Sequence, residues 1–275
     1  MPLRLLIIGA HPDDAEYAAG GTAALYAANG HIVHMVSLTN GDAGHHEQPG
    51  PILAQRRRDE ATAAGAVIGA AYELFNIHDG ELQPTLENRW KVIHLIRSFD
   101  PDLILTHRPN DYHPDHRYTS QLVQDAAYMI TVPAVVPGTK HLRKNPVIAY
   151  LPDEFQKPYP FSPTIAVDVG PVLETIVDML HCHQSQFYEW LAYNTGTLDQ
   201  VPKGNGERCA WLAEQVKPRL RKQAERFRPQ LVQCYGSERG RQVEYAEAFE
   251  PCEYGAPLDE AAARRLFPFV FEKRT

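Results

Sequence analysis

The chain has 275 residues, of which 44% are hydrophobic and 22% are charged, with a formal net charge of -7 at pH 7. This length and composition can bury the core of a full globular domain. The negative charge argues against a nucleic-acid-binding protein, which needs clustered basic surface. No run of eighteen apolar residues predicts a membrane span, and the first apolar run is too short for a signal peptide, so we expect a cytoplasmic protein without a membrane or nucleic-acid partner.

The first predicted element is a strand over residues 3–8, a short apolar run that ends at Gly9. Such a run is typical of a strand buried on both faces of a sheet. The loop Ala10-His11-Pro12-Asp13-Asp14 follows, and residues 15–28 have the composition of a helix. The loop should therefore lie at the carboxyl end of a central strand, where open α/β sheets bind their ligands.

Two side chains of this loop, His11 and Asp14, have the chemistry of metal ligands. A neutral imidazole and a carboxylate both suit a borderline divalent cation. The alternative is structural: Asp13 or Asp14 caps the helix, and Glu16 completes a capping box. The first loop alone does not decide between these interpretations.

A second polar cluster occupies residues 107–116, with the sequence HRPNDYHPDH, directly after the apolar run 102–106. It should also lie at the carboxyl end of a strand, so the two loops can converge at one point. His11, Asp14 and one histidine of the second loop would then supply three protein ligands. Three ligands and an open position for water form the arrangement of a catalytic zinc site.

The elements between the two clusters alternate between strand and helix patterns. This alternation predicts an α/β fold with a doubly wound, mainly parallel sheet of the Rossmann-like type, in a single domain with helices on both faces. The predicted strands are 31–38 and 72–77, and the predicted helices are 51–69 and 86–99.

The second half of the chain has a looser pattern of elements and several proline-rich loops. We expect helices over 117–130, 171–190 and 207–228, the last interrupted by Pro218, strands over 146–150, 164–169 and 242–250, and loops over 131–138 and 152–163. The proline-rich loop 152–163 should lie over the mouth of the ligand site. The four cysteines are scattered without a CxxC spacing, which indicates reduced thiols.

Five further histidines could be mistaken for metal ligands. His45 and His46 follow a glycine-containing turn, and we expect them on a mobile, solvated loop at the rim of the site. His34 lies inside a predicted strand and should be a core or face residue rather than a ligand. Of His181 and His183, which alternate in sequence, at most one should be functional.

The two signatures, Ala10-His11-Pro12-Asp13-Asp14-Ala15-Glu16 and His113-Pro114-Asp115-His116, resemble those of the LmbE-like (PIG-L) zinc-dependent N-deacetylases. Weaker matches lie between them, at Thr39-Asn40-Gly41-Asp42-Ala43-Gly44 and at Asp79-Gly80-Glu81-Leu82. The resemblance covers about the first 130 residues. It implies one deacetylase domain over 1–275, with a core carrying the metal site over 1–130 and lid loops, late strands and helices over 131–275.

The resemblance also implies roles for the residues of the two signatures. His11, Asp14 and His116 would hold Zn²⁺, and Asp13 would be the general base that passes a proton from water to the leaving amine. His113 would face the developing oxyanion, and Asp115 would orient His113. A bound zinc ion lowers the pKa of its water to around 7 and polarises a carbonyl, as amide hydrolysis requires.

The expected substrate is a sugar conjugate of the N-acetylglucosamine type, an expectation that comes only from the resemblance. Carboxylates and arginine forks offer paired hydrogen bonds of fixed geometry to sugar hydroxyls. Arg57 and Asp79 are therefore the candidate substrate-binding residues. The sequence leaves open whether the protein forms a homo-oligomer.

Other classes of protein remain open from the sequence. Two histidines and one carboxylate also form the site of non-haem Fe(II) oxygenases, so Fe²⁺ is an alternative metal. A non-catalytic, metal-stabilised sugar-binding protein is a further alternative, although such a protein needs neither Asp13 nor His113. A dinucleotide site is disfavoured, because the loop after Gly9 lacks the spaced glycines that admit a pyrophosphate.

Overall fold

The computed structural model of the chain describes residues 1–271. In this part of the chain, seven strands form one sheet. They are β1 (Arg4–Gly9), β2 (Ile32–Ser37), β3 (Ala71–Leu74), β4 (Leu103–Thr106), β5 (Val147–Tyr150), β6 (Ile165–Asp168) and β7 (Ala246–Pro251).

Eleven α-helices of the described residues surround the sheet, with 3₁₀ turns at Gly170–Val172 and Leu198–Gln200 and a π-helical segment at Ser185–Trp190. The helices are α1 (Asp14–Ala28), α2 (Pro51–Val67), α3 (Leu86–Phe99), α4 (Pro114–Met129), α5 (Leu173–Cys182), α6 (Leu191–Asn194), α7 (Asn205–Arg226), α8 (Arg228–Tyr235), α9 (Ser237–Gln242), α10 (Glu260–Leu266) and α11 (Pro268–Phe271).

The strand order is β3-β2-β1-β4-β5-β7-β6, and the first five strands in this order are parallel to one another. Strand β7 runs antiparallel to both β5 and β6. The predicted doubly wound, mainly parallel sheet in a single domain is confirmed. The chain builds outward from β1 on one side and continues from β4 on the other, so the switch point of the sheet lies between β1 and β4.

Alternate residues of β1 enter two different hydrophobic cores. Leu5 and Ile7 belong to one cluster, which includes residues of α1, α5 and α7, whereas Leu6 and Ile8 belong to another, which includes residues of α3 and α4. All four side chains are fully buried. Both faces of the sheet are therefore covered by helices, which explains the uninterrupted apolar run at the start of the sequence.

The early elements lie within a few residues of their predicted bounds, but the second half of the chain differs. The predicted helix 171–190 is divided into a 3₁₀ turn, α5 and the π-helical segment, because His183 leaves helical geometry, with φ -82° and ψ 63°. Helix α7 continues through Pro218. Pro218 is exposed, so the carbonyl that loses its helical hydrogen bond can be solvated.

The late strand also begins later than predicted. Residues 237–242 form α9, and β7 starts only at Ala246. The four cysteines are free thiols, as expected. Within residues 1–271, no helix has both the length and the apolar character to cross a membrane.

Candidate metal centre and active site

A cavity of about 860 Å³ opens at the carboxyl edge of the parallel strands. Its lining includes His11, Asp13 and Asp14 from the loop after β1 and His107, His113 and His116 from the segment after β4. These two segments flank the switch point of the sheet, the usual ligand position in open α/β folds. The expected convergence of the two loops is thus observed.

The loop after β1 is anchored by the carbonyl oxygen of Ala10. That oxygen accepts hydrogen bonds from the Ser37 hydroxyl at 2.9 Å and from the Thr39 hydroxyl at 2.7 Å. Gly9 is also required here, since a Cβ at this position would lie 2.7 Å from the Cβ of Asp14. The loop is therefore fixed by the neighbouring strand and by close packing before any ligand binds.

The structure does not contain the helix cap that the alternative interpretation of Asp13 and Asp14 predicts. Asp13 occupies the N-cap position, but its side chain makes no capping hydrogen bond. Oδ2 of Asp14 turns back to accept from the backbone N–H groups of Ala10, at 2.9 Å, and His11, at 2.7 Å. Glu16 binds Tyr72 and His183, so no capping box forms.

The three predicted metal ligands lie together. Nδ1 of His11 is 3.6 Å from Oδ2 of Asp14 and 3.2 Å from Nε2 of His116. Nε2 of His116 is 3.6 Å from Oδ1 of Asp14. One ion can therefore be reached by two imidazole nitrogens and a carboxylate.

The outer nitrogens of both histidines face carboxylates. Nε2 of His11 lies 3.1 Å from Asp79 and 3.4 Å from Asp115. Nδ1 of His116 lies 3.0 Å from Asp111. Carboxylates behind histidine ligands fix the ring orientation and direct the lone pair of the inner nitrogen toward the metal. The residues present thus fit a divalent cation.

The electrostatics of the site also favour positive charge. Burial alone would lower the pKa of His11, but Asp115 and two further carboxylates outweigh burial and hold that pKa well above its usual value. A divalent cation can replace the proton that these carboxylates stabilise. The donor set, two histidines and an aspartate, is suited to Zn²⁺ or Fe²⁺.

Two further histidines offer nitrogens near the same point. Candidate ligand atoms lie within 4.8 Å of one another in three groups of described residues, namely His11, His113 and His116; Asp14, His107 and His116; and His11, Asp79 and Asp115. His107 contacts Oδ2 of Asp14 at 3.0 Å and its ring stacks on His116 at 3.9 Å. We therefore regard His107 as a support for two ligands.

Asp13 has a backbone conformation that is rare for a residue other than glycine, with φ 126° and ψ -23°. Tyr72 accepts from the Asp13 N–H at 3.2 Å, and Arg57 donates to the Pro12 carbonyl at 3.1 Å. Burial and the charge of Asp14 raise the pKa of Asp13 to about 6, against the opposing effect of Arg57. This buried carboxylate lines the cavity next to the candidate ligands.

His113 is held in one orientation by the start of α4. As the N-cap residue, it accepts from the Asp115 N–H through Nδ1 at 3.2 Å, which places the proton of a neutral ring on Nε2. The expectation that the Asp115 carboxylate orients His113 is corrected. That carboxylate instead accepts from Gly80 N at 2.7 Å and Leu82 N at 3.3 Å, and it faces His11.

The two candidate substrate-binding residues line the cavity but are occupied by other contacts. Arg57 is 1% exposed and donates to the carbonyls of Pro12 and Gly41 and to the Gln186 side chain. Asp79 faces His11. Both residues therefore support the loop and the histidine from the cavity lining, and their role in binding sugar hydroxyls stays a prediction.

The histidine pair after β2 also differs from its prediction as a mobile, solvated loop. His45 is buried and contacts Glu189 at 2.8 Å. The ring of His46 stacks on Tyr193, with centroids 4.0 Å apart. Glu189 binds Arg56 as well, at 2.6 and 2.7 Å, so the loop is tied to the π-helical segment.

The sequence analysis gave no supporting role to His107, Asp111 or Glu16, and it named His183 only as one of two histidines of which at most one should be functional. The first two lie inside the quoted cluster 107–116, and their position after β4 was the signal that could have identified them. His183 and Glu16 form a fully buried pair, with 2.9 Å between Nε2 and Oε1. Because 167 residues separate them, no local sequence pattern indicates that these two side chains pair.

The chain is similar to known proteins across most of its length. A family model described as PIG-L: GlcNAc-PI de-N-acetylase matches residues 6–127. A 4-oxalmesaconate hydratase of Pseudomonas putida is 27% identical over 203 residues, which are 71% of this chain and 78% of the relative. A diacetylchitobiose deacetylase of Thermococcus kodakarensis is 30% identical over 196 residues, 68% of this chain and 71% of the relative.

A solved structure has the same fold. The N,N'-diacetylchitobiose deacetylase from Pyrococcus horikoshii superposes with a TM-score of 0.70, covering 91% of this chain and 84% of that chain, at 24% sequence identity. This superposition extends the similarity into the second half of the chain, beyond the residues that the family model matches.

Proposed function

Because the chain belongs to the PIG-L family, we propose that it is a metal-dependent hydrolase that removes an N-acetyl group from an N-acetylglucosamine-type sugar conjugate. The observation that carries the proposal is the convergence of His11, Asp14 and His116, each within 3.6 Å of the others, beside the buried carboxylate of Asp13. The substrate class comes from the family description and from the deacetylase relative.

The proposed roles follow from the positions of the side chains. A zinc ion held by His11, Asp14 and His116 would polarise the acetamide carbonyl and lower the pKa of a water molecule to around 7. Asp13 takes a proton from the attacking water on a carboxylate oxygen. The water oxygen bonds to the carbonyl carbon, and Asp13 returns the proton to the nitrogen as the carbon–nitrogen bond breaks. The products are acetate and the free amine of the sugar.

His113 has a separate role in this scheme. Its Nδ1 is occupied by the Asp115 N–H, so the Nε2–H is the donor left for the substrate. We infer that this N–H donates to the carbonyl oxygen as negative charge develops there. Asp79, Asp111 and Asp115 are positioning residues, since they contact the histidine ligands.

The test combines metal analysis with an assay of amine release. We expect about one zinc per chain in the anaerobically purified protein, and loss of that zinc in both Asp14→Ala and His116→Ala. The exposed histidine variant His94→Ala is the matched control and should retain the metal. Amine release from diacetylchitobiose and other N-acetylglucosamine conjugates should follow the zinc content.

Two results would contradict the proposal. Metal content unaffected by Asp14→Ala and His116→Ala would remove the three-ligand site. Iron as the only metal, with dioxygen consumption, would favour the oxygenase alternative, which uses the same ligand types.

A second candidate function, hydration, is favoured by one specific similarity. The hydratase relative of Pseudomonas putida covers a larger share of both chains than the deacetylase relative does. The same metal site could position water for addition to a carbon–carbon double bond of an unsaturated carboxylate. Loss of the ultraviolet absorbance of 4-oxalmesaconate, without amine release from any acetylated sugar, would establish this alternative.

A further inference from the structure

One wall of the cavity consists of the cavity-facing side chains of α7, namely Arg219, Lys222, Gln223 and Arg226, here called the α7 wall. The spacings of three, four and seven residues place these side chains on one face of the helix. Three of the four are cationic, and none is acidic. The α7 wall lies outside the residues matched by the family model.

The carboxylates across the cavity neutralise only one of the three cations of this wall, Lys222. Asp153 binds Arg108 through both oxygens, at 2.8 and 2.9 Å, and Glu154 binds Lys222. Within residues 1–271, no carboxylate lies within 4.0 Å of the guanidinium groups of Arg219 or Arg226. Two cations of the α7 wall therefore lack a charged partner.

Arg219 is the more unusual of the two. Its guanidinium lies over the ring of Tyr17, 4.0 Å from the centroid. Nε and Nη2 are buried and, among the described residues, have no hydrogen-bond acceptor. These two N–H groups lie on the same side of a guanidinium and form the fork that matches a carboxylate or phosphate.

The buried carboxylate of Glu247, whose charge acts on Arg219, does not fill this gap. Its two oxygens accept from Gly21 N at 2.7 Å, Thr22 N at 2.8 Å and the Thr22 hydroxyl at 2.7 Å. A buried charged donor without an acceptor is costly. An oxyanion that enters the cavity would supply the missing acceptor.

The position of Tyr17 places this site relative to the reaction. Tyr17 follows Asp13 by one turn of α1, and its N–H donates to the Asp13 carbonyl at 2.8 Å. The side chains of Tyr17, Trp190 and Phe155 line the cavity; Tyr17 and Phe155 remain 45% and 41% exposed, and Trp190 is partly buried. These rings offer apolar faces between the candidate metal ligands and the cavity mouth.

We propose that the α7 wall is an anion-binding subsite, with Arg219 as its main ligand, and that the substrate carries a carboxylate or phosphate on the group attached to its sugar. This proposal rests on the proposed function, which places the acetamide-bearing sugar of the substrate at the metal site. The sugar carrying the acetamide occupies the metal end of the cavity, and the attached group extends past Tyr17 to the α7 wall.

Binding of product analogues tests the subsite without turnover. The probes are 4-carboxyphenyl, 4-phosphonooxyphenyl and 4-carbamoylphenyl β-glucosaminides, which share size and amine but differ in charge. By calorimetry with the zinc-loaded protein at low salt, the better of the two anionic probes should bind about tenfold tighter than the carbamoyl probe. The tighter anionic probe identifies the preferred oxyanion.

The variants are Arg219→Gln and Arg226→Gln, with Arg241→Gln, an exposed arginine of α9, as the matched control. We expect Arg219→Gln to abolish the preference for the anionic probes, Arg226→Gln to reduce it, and the control to leave it unchanged. Zinc content and circular dichroism check that each variant is folded. If Arg219→Gln does not fold, Arg226→Gln and the salt dependence of wild-type binding still test the proposal.

The outcomes for the subsite and for the proposed function are distinct. Equal affinity of the wild type for charged and neutral probes, or a preference that Arg219→Gln retains in a folded protein, would overturn the anion subsite. Absence of amine release from the N-acetylated forms of all three probes, together with a preference that depends on Arg219, would overturn the proposed function and leave the subsite standing.

Discussion

Asp13 combines two properties that a structural residue does not need. It has a positive φ of 126°, and its carboxylate is buried beside Asp14 at the cavity. Strained backbone of this kind persists only where surrounding contacts impose it. Here the contacts come from Tyr72 and Arg57. The backbone conformation of Asp13 is therefore imposed by other residues of the site.

The first prediction concerns the chemical role of Asp13. Asp13→Asn should keep the metal, because the three ligands are unchanged, and should lower kcat by about 10²- to 10⁴-fold, because an amide cannot take the proton of water. Zinc content and the rate of amine release are the two measurements. Loss of zinc in this variant would show that Asp13 is a ligand and not the base.

The second prediction concerns the support of Asp13. Tyr72→Phe removes the oxygen that accepts from the Asp13 N–H and donates to Glu16, so Asp13 should relax. We expect kcat to fall about ten- to hundredfold while zinc content and KM stay near the wild-type values.

Tyr235→Phe is the matched control for this variant, since the Tyr235 hydroxyl also accepts a backbone N–H, from Asp168 at 2.8 Å, on a different part of the sheet. Both variants should lose similar stability. An equal loss of kcat in the two would indicate a general structural effect rather than positioning of Asp13.

Individual residues differ in how far the sequence could identify them. The convergence of His11 and Asp14 with a histidine of the second loop was predictable, because side-chain chemistry and positions after apolar runs coincide, whereas the choice of His116 came from the resemblance to the family. The contacts of Arg57 and Asp79 were not predictable, because the partners of Arg57 lie on three separate segments at Pro12, Gly41 and Gln186. A residue's type indicates what it can bind, whereas its partner depends on the assembled fold.

At the scale of elements, α1 is the helix that links the site to the rest of the sheet. Ala19 breaks its regular geometry, with φ -142° and ψ 18°. Glu247 of β7 accepts from the N–H groups of Gly21 and Thr22, which the break leaves without their usual partners. A buried carboxylate on a distant strand therefore serves as the cap of the second part of α1.

The third prediction concerns the packing of this second part. Gly21→Ala would place a Cβ 2.6 Å from the Cβ of Val169 and 2.9 Å from Cδ1 of Ile176. We expect a loss of about 1–3 kcal/mol in the free energy of unfolding, since neither neighbour can move freely in the core. Urea unfolding followed by circular dichroism measures the change.

Gly206→Ala is the matched control for this variant. Gly206 also lies in a helix, α7, and its added Cβ would meet no atom within 4 Å. The control should be neutral or slightly stabilising, because alanine favours helix more than glycine does. A neutral Gly21→Ala would show that α1 can shift away from Val169.

Elements with one local pattern were predicted well, and elements shaped by a distant partner were not. Helix α3 has its predicted bounds, 86–99, because its apolar spacing and the Thr85 cap are both local. The predicted helix 171–190 is interrupted at His183, because that side chain turns inward to Glu16. No pattern within 171–190 reports the presence of a carboxylate on α1.

At the scale of the whole molecule, the two halves of the chain contribute different walls of one cavity. The first 130 residues supply the candidate metal ligands. The second half supplies Phe155, Trp190 and the α7 wall, and the sequence indicated only loops and helices there. The fold class follows from the alternation of elements, whereas the second wall depends on how α7 packs against α5 and β7.

The fourth prediction concerns the effect of the metal on the entire fold. His11 and Asp14 follow β1, and His116 lies on α4 after β4, so one ion would join the two segments on either side of the switch point. An ion that binds only the folded chain stabilises it by RT ln(1 + [metal]/Kd), about 4 kcal/mol when its concentration is a thousand times Kd. We expect the zinc-loaded protein to melt on the order of 10 °C higher than the chelator-treated protein.

Thermal unfolding of the two forms measures this difference, with His94→Ala as a control that should retain the whole shift. Asp14→Ala should melt at one temperature whether or not zinc is present, because its carboxylate is both a candidate ligand and the acceptor for two backbone N–H groups. Identical melting of the zinc-loaded and chelator-treated wild type would mean that zinc does not bind the folded chain in preference to the unfolded chain. That result would contradict a metal site that joins the two loops.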